Sequence, residues 1–316
     1  MNTCPPYRPF RGAEPPHYVD RPDDELGTAG ICAASVCAYM RGPSDPRFHR
    51  LVVSAPAMGK TALLRAVARQ ASARLDWAVT FHRCRPKERA LVMVTGEILA
   101  SLQRQWPAQG PALASAVLAP RLEGRWRQEA AHPAGRGSVL TPRTVDPRTE
   151  ASWAELHHVL QLAGRFAQQL ARGLLLVFDD ADALGAGDVE SLGHLARSLG
   201  RDGLPVALLM SGGQKLGARF ARVGNFSGAV WPTPLEGFDD AEVREAVVVP
   251  AVDRNVEFQD EALELLCLAA GGSPLEVQRL GFAAWSATPA GEIVSVAAVK
   301  EAMGMAGLRL AVQAAS

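Results

Sequence analysis

The sequence predicts an α/β fold, a three-layer αβα sandwich with a parallel sheet, followed by a small all-helical domain. Two continuous apolar runs, LLLVF at 174–178 and VALLM at 206–210, are typical of strands that are buried on both faces. Apolar residues at helical spacing precede them, for example over 60–75. Alternating strands and helices favour a parallel sheet with right-handed crossovers. After Pro234 only helical patterns remain.

The predicted core spans residues 47–234. Its first strands are FHRLVV at 48–53 and WAVTF at 77–81. Ser152 begins a capping-box pattern, which predicts that a helix starts there, and Gly173 is its predicted end. Further helices are predicted over 60–75, 88–106 and 189–199.

Two proline-rich stretches interrupt these patterns. Residues 1–46 hold 8 of the 22 prolines and predict an irregular N-terminal arm with one helix, near 23–40. Tyr7, Phe10 and Tyr18 could attach the arm to a domain surface, and the alternative is a disordered tail. Residues 107–150 carry six prolines and six arginines with weak periodicity, which predicts a loop-rich insertion.

The predicted helical lid domain covers 235–316. Asp239 or Asp240 can cap its first helix, Asp260 a second and Ser295 a last one, because short polar side chains bond the free N–H groups of a first turn.

Composition excludes several classes of protein. Acidic and basic residues balance at 33 each, which gives no support to a wholly basic nucleic-acid binder. No apolar run approaches the length of a membrane helix, and early prolines interrupt the only stretch that a signal peptide could use. Five scattered cysteines without a C-x-x-C pair argue against a disulfide framework or a zinc site and predict a cytoplasmic location.

A phosphate-binding loop is predicted between the first strand and the first helix, where the sequence reads SAPAMGKT. Backbone N–H groups at a helix N-terminus, together with the helix dipole, bind phosphate. In this pattern Lys60 reaches the β- and γ-phosphates and the Thr61 hydroxyl binds Mg²⁺. The predicted nucleotide-binding residues are Ser54, Ala55, Pro56, Ala57, Met58, Gly59, Lys60, Thr61 and Ala62.

Two positions depart from the full pattern G-x-x-x-x-G-K-[ST]. Ser54 stands where the first glycine belongs, and Ala57 where a further glycine is common. A Cβ restricts φ and crowds the approach of the backbone to phosphate. Two interpretations therefore stay open, a nucleotide site or a structural loop that no longer binds its ligand.

Polar residues follow both buried strands. Asp179 comes directly after LLLVF and is the predicted Mg²⁺ ligand. Asp180 stands where a glutamate that orients the attacking water is usual, and with Lys60 it forms the predicted catalytic pair. Ser211 follows VALLM, and its hydroxyl could sense the γ-phosphate. The alternatives are that the aspartates cap a turn and that the serine only forms one.

With these motifs the chain resembles the AAA+/STAND class of P-loop ATPases, close to bacterial ATP-binding proteins with an origin-recognition-like core. The likeness covers about residues 7–303. The motifs that carry it are YRPF at 7–10, MGKT at 58–61, LLLVFDD at 174–180, LPVALL at 204–209, PLEGFDD at 234–240 and GGSP at 271–274. The resemblance implies a three-layer P-loop NTPase core and ATP with Mg²⁺ as cofactors. It also implies that Pro274 closes the lid on the adenine.

The resulting functional prediction is an ATP-binding switch that hydrolyses ATP slowly. Its expected ligands are ATP and ADP, with a protein partner or self-association through the ATPase core. One alternative is a non-hydrolysing adaptor with a decayed ATPase fold. Another is a DNA-handling helper ATPase, which only the arginine-rich stretch 121–148 supports, and acidic residues there dilute its charge.

Overall fold

The structure is a computed structural model and describes residues 6–7, 18–20, 31, 48–86, 90–108, 153–222, 229–289, 292–305 and 307. All but the first two residues of the predicted 107–150 insertion, and most of the arm, lie outside these ranges. In the described part of the chain, no helix is both long enough and apolar enough to cross a membrane.

The strands form a five-stranded parallel sheet in the order β2-β3-β4-β1-β5, with helices on both sides. In the register, Ala78 of β2 lies opposite Leu174 of β3, and Leu174 lies opposite Val206 of β4. Both β3 and β4 are buried along their whole length, as their continuous apolar runs predict. The fold class is therefore confirmed. The strands are β1 Arg50–Val53, β2 Ala78–Arg83, β3 Leu174–Asp179, β4 Val206–Gly212 and β5 Trp231–Pro234.

The helices among the described residues follow the predicted segments closely, with two additions. The short helix α5 and the lid helix α8 were not predicted. The helices are α1 Lys60–Leu75, α2 Ala90–Gln105, α3 Trp153–Gln169, α4 Ala186–Arg201, α5 Gln214–Arg222, α6 Asp240–Val252, α7 Asp260–Ala270, α8 Pro274–Ala287 and α9 Val296–Met305.

The predicted end of α3 at Gly173 is wrong. The helix ends at Gln169, and Ala171 adopts the left-handed conformation with φ of 53°. Gly173 serves packing instead, since a Cβ there would lie 2.5 Å from the Trp77 ring. The predicted cap at Ser152 lies outside the described residues.

Two of three predicted lid caps are confirmed. Asp239 caps α6 by accepting from the Glu242 N–H at 2.8 Å. Ser295 accepts from the Ala298 N–H at 3.4 Å at the start of α9. The cap of α7 is Gln259, and Asp260 is the first helical residue, so that prediction is displaced by one position.

The chain divides into two compact units. The first unit comprises residues 1–31, 52–66 and 233–316, and its core consists of apolar side chains from α6 to α9 together with Val19 of the arm. The second unit comprises residues 32–51 and 67–232 and contains β2, β3 and β4 with their flanking helices.

Candidate functional site

The predicted phosphate loop lies between β1 and α1. Strand β1 ends at Val53, the loop covers residues 54–59, and α1 begins at Lys60. Gly59 has φ of 85°, a left-handed conformation that glycine adopts without steric cost, and its carbonyl accepts from the Leu63 N–H at 3.0 Å. The first N–H groups of a helix have no partner within the helix, so this terminus can bind an anion.

Lys60 folds back onto the loop. Its Nζ donates to the carbonyl oxygens of Ser54 at 3.1 Å and Ala55 at 2.8 Å, and to the Ser54 Oγ at 3.2 Å. The ammonium is therefore positioned by the loop that precedes it. Phosphate oxygens would compete with these three acceptors for the same donors.

The two departures from the loop pattern differ in their structural consequences. Ser54 has an ordinary negative φ, is buried, and its hydroxyl contributes an acceptor to Lys60. Ala57 has φ of 70°, which for a residue with a Cβ costs about 1–2 kcal/mol. The conformational restriction expected at both positions therefore applies to Ala57 alone.

Pro274 packs against this loop. Its ring lies 3.6 Å from the position that a Cβ on Gly59 would occupy, and both residues belong to the first unit. Pro274 is the first residue of α8, and Ser273 caps that helix by accepting from the Glu276 N–H at 3.4 Å. The lid helix therefore begins at the phosphate loop.

A tight turn holds Pro274 in place. Gly271 and Gly272 both have positive φ, 55° and 74°. The Gly272 carbonyl accepts from the Phe238 N–H at 2.7 Å, and a Cβ on Gly272 would lie 2.8 Å from the Phe238 carbonyl oxygen. A Cβ on Gly237 would lie 2.9 Å from the Gly272 oxygen and 3.7 Å from the Met58 sulfur. Glycine is required where these backbones approach each other.

In the second unit, Ser211 links the two aspartates at the end of β3. Its Oγ donates to the Asp179 Oδ1 at 2.7 Å and accepts from the Asp180 N–H at 3.0 Å. Asp179 and Ser211 are both fully buried. Because a serine has a single hydroxyl hydrogen, Ser211 here orients the Asp179 carboxylate.

Asp180 is held in an unusual conformation. It has φ of 57° and precedes the short 3₁₀ turn Ala181–Ala183. Its Oδ2 accepts from the Arg83 Nε at 3.0 Å, and both side chains are partly exposed. Arg83 ends β2, opposite Asp179 in the register. Sequence reasoning missed Arg83, because its role depends on β2 pairing with β3.

The predicted metal ligands have suitable chemistry for Mg²⁺. Thr61 supplies a hydroxyl and Asp179 a carboxylate, and Mg²⁺ prefers such hard oxygen ligands. Among the described residues, no group of three or more His, Cys, Asp or Glu is arranged to hold a metal. A small number of protein ligands is compatible with Mg²⁺ in nucleotide sites, because phosphates and water supply most of the ligands there.

One buried histidine belongs to the framework of the second unit. His49 precedes β1, and its Nδ1 accepts from the Leu208 N–H of β4 at 3.2 Å. Burial lowers the pKa of His49 to about 4, because the charged imidazolium is desolvated. His49 is therefore neutral at physiological pH, and this role was not predicted.

Comparisons with known proteins complete these observations. A profile of the AAA ATPase domain matches residues 34–209. No curated protein sequence matches the chain significantly. The Orc1 protein of Aeropyrum pernix, solved in complex with DNA, is 16% identical with a TM-score of 0.53, over 92% of this chain and 68% of that one.

Two further solved structures are similar. A RuvB variant from Thermotoga maritima is 15% identical with a TM-score of 0.51, over 92% of this chain and 73% of that one. Cdc6p from Pyrobaculum aerophilum is 13% identical with a TM-score of 0.49, and this chain spans 64% of its length. At these identities the Orc1 and RuvB structures show the fold alone. The profile covers more than half of the sequence, and the chain therefore belongs to the AAA ATPase domain family.

Proposed function

We propose that this chain is a STAND-like switch that binds Mg²⁺-ATP, changes the position of its lid on binding, and hydrolyses ATP slowly. The observation that carries the proposal is the packing of Pro274 on Gly59. A ligand on the phosphate loop meets the first residue of the lid helix at the same place. Ligand binding therefore changes the contacts of the lid, which is what shifts a conformational equilibrium.

The residues of the loop account for the binding step. The N–H groups at the start of α1 and the Lys60 ammonium bind the phosphates, and Lys60 exchanges its loop acceptors for phosphate oxygens. Thr61 and Asp179 are the residues that would hold Mg²⁺, and Ser211 keeps the Asp179 carboxylate oriented. Mg²⁺, when bound, supplies neutralisation of the phosphate charge.

Slow hydrolysis follows from the environment of Asp180. Its side chain is one methylene shorter than the usual glutamate, and it is paired with Arg83. A carboxylate in this position is less able to orient a water molecule, and misplacement by about 1 Å can cost on the order of a hundredfold in rate.

The proposal is tested by comparing two ligands on three proteins. Isothermal titration of the wild-type chain with ATP, in the presence and absence of Mg²⁺, should show binding that requires the metal. Pro274→Ala should weaken ATP binding more than binding of inorganic triphosphate, because the proline is expected at the adenine. Pro289→Ala, at a proline outside the helices, is the matched control. Equal losses for both ligands would contradict the role of Pro274 as an adenine contact.

A non-hydrolysing adaptor is the second candidate. Two observations favour it, the strained φ of Ala57 and the pairing of Asp180 with Arg83. Steady-state phosphate release separates the two candidates, since an adaptor with a decayed site releases none while it still folds normally.

A further inference from the structure

Tyr7 anchors the N-terminal arm between two lid helices of the first unit. Its hydroxyl donates to the Val247 carbonyl oxygen of α6 at 2.7 Å, across 240 residues of sequence. Its ring is 1% exposed and meets Trp285 of α8 edge-to-face, with 6.3 Å between ring centroids. Both the apolar ring and the polar end of Tyr7 are thus accommodated, which confirms the prediction that this residue attaches the arm.

The surface of α8 is shaped for this ring. A Cβ at Gly281 would lie 2.8 Å from two carbon atoms of the Tyr7 ring, closer than a real Cβ approaches another atom. A second arm residue, Val19, is buried in the core of the lid helices. These two arm residues, Tyr7 and Val19, are therefore part of the packing of the first unit.

The same face of α8 contacts the phosphate loop. Gly281 lies seven residues after Pro274 in α8. At about 100° of rotation per residue, the two residues point in directions that differ by only about 20° around the helix axis. Pro274 packs on Gly59 at the start of the helix, and Tyr7 packs on Gly281 about two turns later. One helical face therefore carries both contacts.

We propose that the arm residues Tyr7 and Val19 form an intramolecular strap whose docking on the lid helices holds α8 over the phosphate loop, so that strap docking and nucleotide binding strengthen each other. This inference rests on the proposed function, because the nucleotide is the ligand to which the strap is coupled. Coupling of this kind is reciprocal: arm docking raises ATP affinity, and ATP stabilises the docked arm by the same factor.

The test displaces the arm without touching the nucleotide loop. Gly281→Ala places a methyl group against the Tyr7 ring and should weaken Mg²⁺-ATP binding about 5- to 20-fold by isothermal titration. Gly304→Ala is the matched control, because it also adds a methyl group to a lid helix but meets nothing within 4 Å. Its ATP affinity should equal that of the wild type.

A second variant separates coupling from general damage to the fold. Tyr7→Ala removes the ring and should weaken ATP binding by a similar factor. Adding Gly281→Ala to Tyr7→Ala should then have little further effect, because the new methyl group has no ring to meet. Independent, additive losses from the two substitutions would overturn the proposal.

Limited trypsin cleavage after Arg11 measures arm docking directly. Arg8 is nearer to Tyr7 but is not a usable site, because the proline that follows it makes the bond resistant to trypsin. Mg²⁺-ATP should slow this cleavage in the wild type and in Gly304→Ala. If Tyr7→Ala is cleaved faster but binds ATP as the wild type does, the strap is not coupled to the site and the proposed function stands. If the wild type gives a flat ATP titration, the proposed function fails, and the coupling fails with it.

Discussion

The phosphate loop and the end of β3 differ in how they tolerate departures from the family pattern. In the loop, the backbone and Lys60 are the proposed binding groups, and Ser54 in place of glycine adds an acceptor for that lysine. At the end of β3, side chains are the proposed source of the chemistry, and Ser211 and Arg83 already bond the two aspartates.

This difference separates binding from hydrolysis. A site made of backbone N–H groups keeps its geometry when side chains change, provided that φ remains accessible. A side chain that orients water depends on its own length and on its partners. The comparison predicts that the departures from the family pattern reduce the rate of ATP hydrolysis more than they reduce ATP affinity.

The largest expected effect concerns the loop. Lys60→Ala removes the cation at the phosphates and should weaken ATP binding at least about 100-fold, since each hydrogen bond to a charged group contributes about 1.5–3 kcal/mol. The matched control is Lys215→Ala, at an exposed lysine on α5. Isothermal titration of both variants checks this. Unchanged affinity in Lys60→Ala would remove the loop from the binding site.

The two units should respond to opposite extremes of pH. His49 in the second unit has a pKa of about 4, below its ordinary value of 6.5, so folding disfavours its protonation. Stability is full above pH 6.5 and should fall by about 3 kcal/mol as pH decreases to about 4. Burial raises the pKa of Tyr7 in the first unit, so its contribution is present below pH 10 and is lost above it.

Urea unfolding at several pH values between 4 and 7 tests the predicted loss of stability at acidic pH. His49→Gln should flatten the dependence below pH 6.5, whereas His158→Gln, at an exposed position on α3, should leave it unchanged. A dependence that persists in His49→Gln would assign acid sensitivity to other groups.

A smaller effect is expected at the end of β3. Asp180→Glu extends the carboxylate by about 1.5 Å, the length of one carbon–carbon bond, towards the position that the proposed mechanism requires. Turnover should rise about 10- to 100-fold in a phosphate-release assay, with little change in ATP affinity. Asp182→Glu is the control, because Asp182 bonds the Gly213 N–H in the turn. Equal turnover in Asp180→Glu and wild type would indicate that Asp180 only caps the turn.

The smallest effect is expected at Ala57. Ala57→Gly relieves the strain of a positive φ, while the greater freedom of glycine in the unfolded chain offsets part of the gain. The net change in the free energy of unfolding should be below about 1 kcal/mol by urea denaturation, with ATP affinity unchanged by titration. A loss of affinity would show that the methyl group itself contacts the ligand.

Local patterns in the sequence determined the elements of this protein. The apolar runs of β3 and β4 and the helical spacing of α1 each lie within one stretch of chain, and all three are where the patterns predict. The strand–loop–helix arrangement around Lys60 is equally local, since it depends on a loop of six residues. Periodicity and turn chemistry act over such distances, which is why they could be read without a structure.

Only the tertiary structure decided the contacts that connect these elements. Arg83 meets Asp180 because β2 pairs with β3, and Tyr7 meets Val247 across most of the chain. Pro274 reaches Gly59 through a glycine turn that the sequence does not orient. Such contacts depend on how distant segments pack together, and local propensity carries no information about which segments become neighbours.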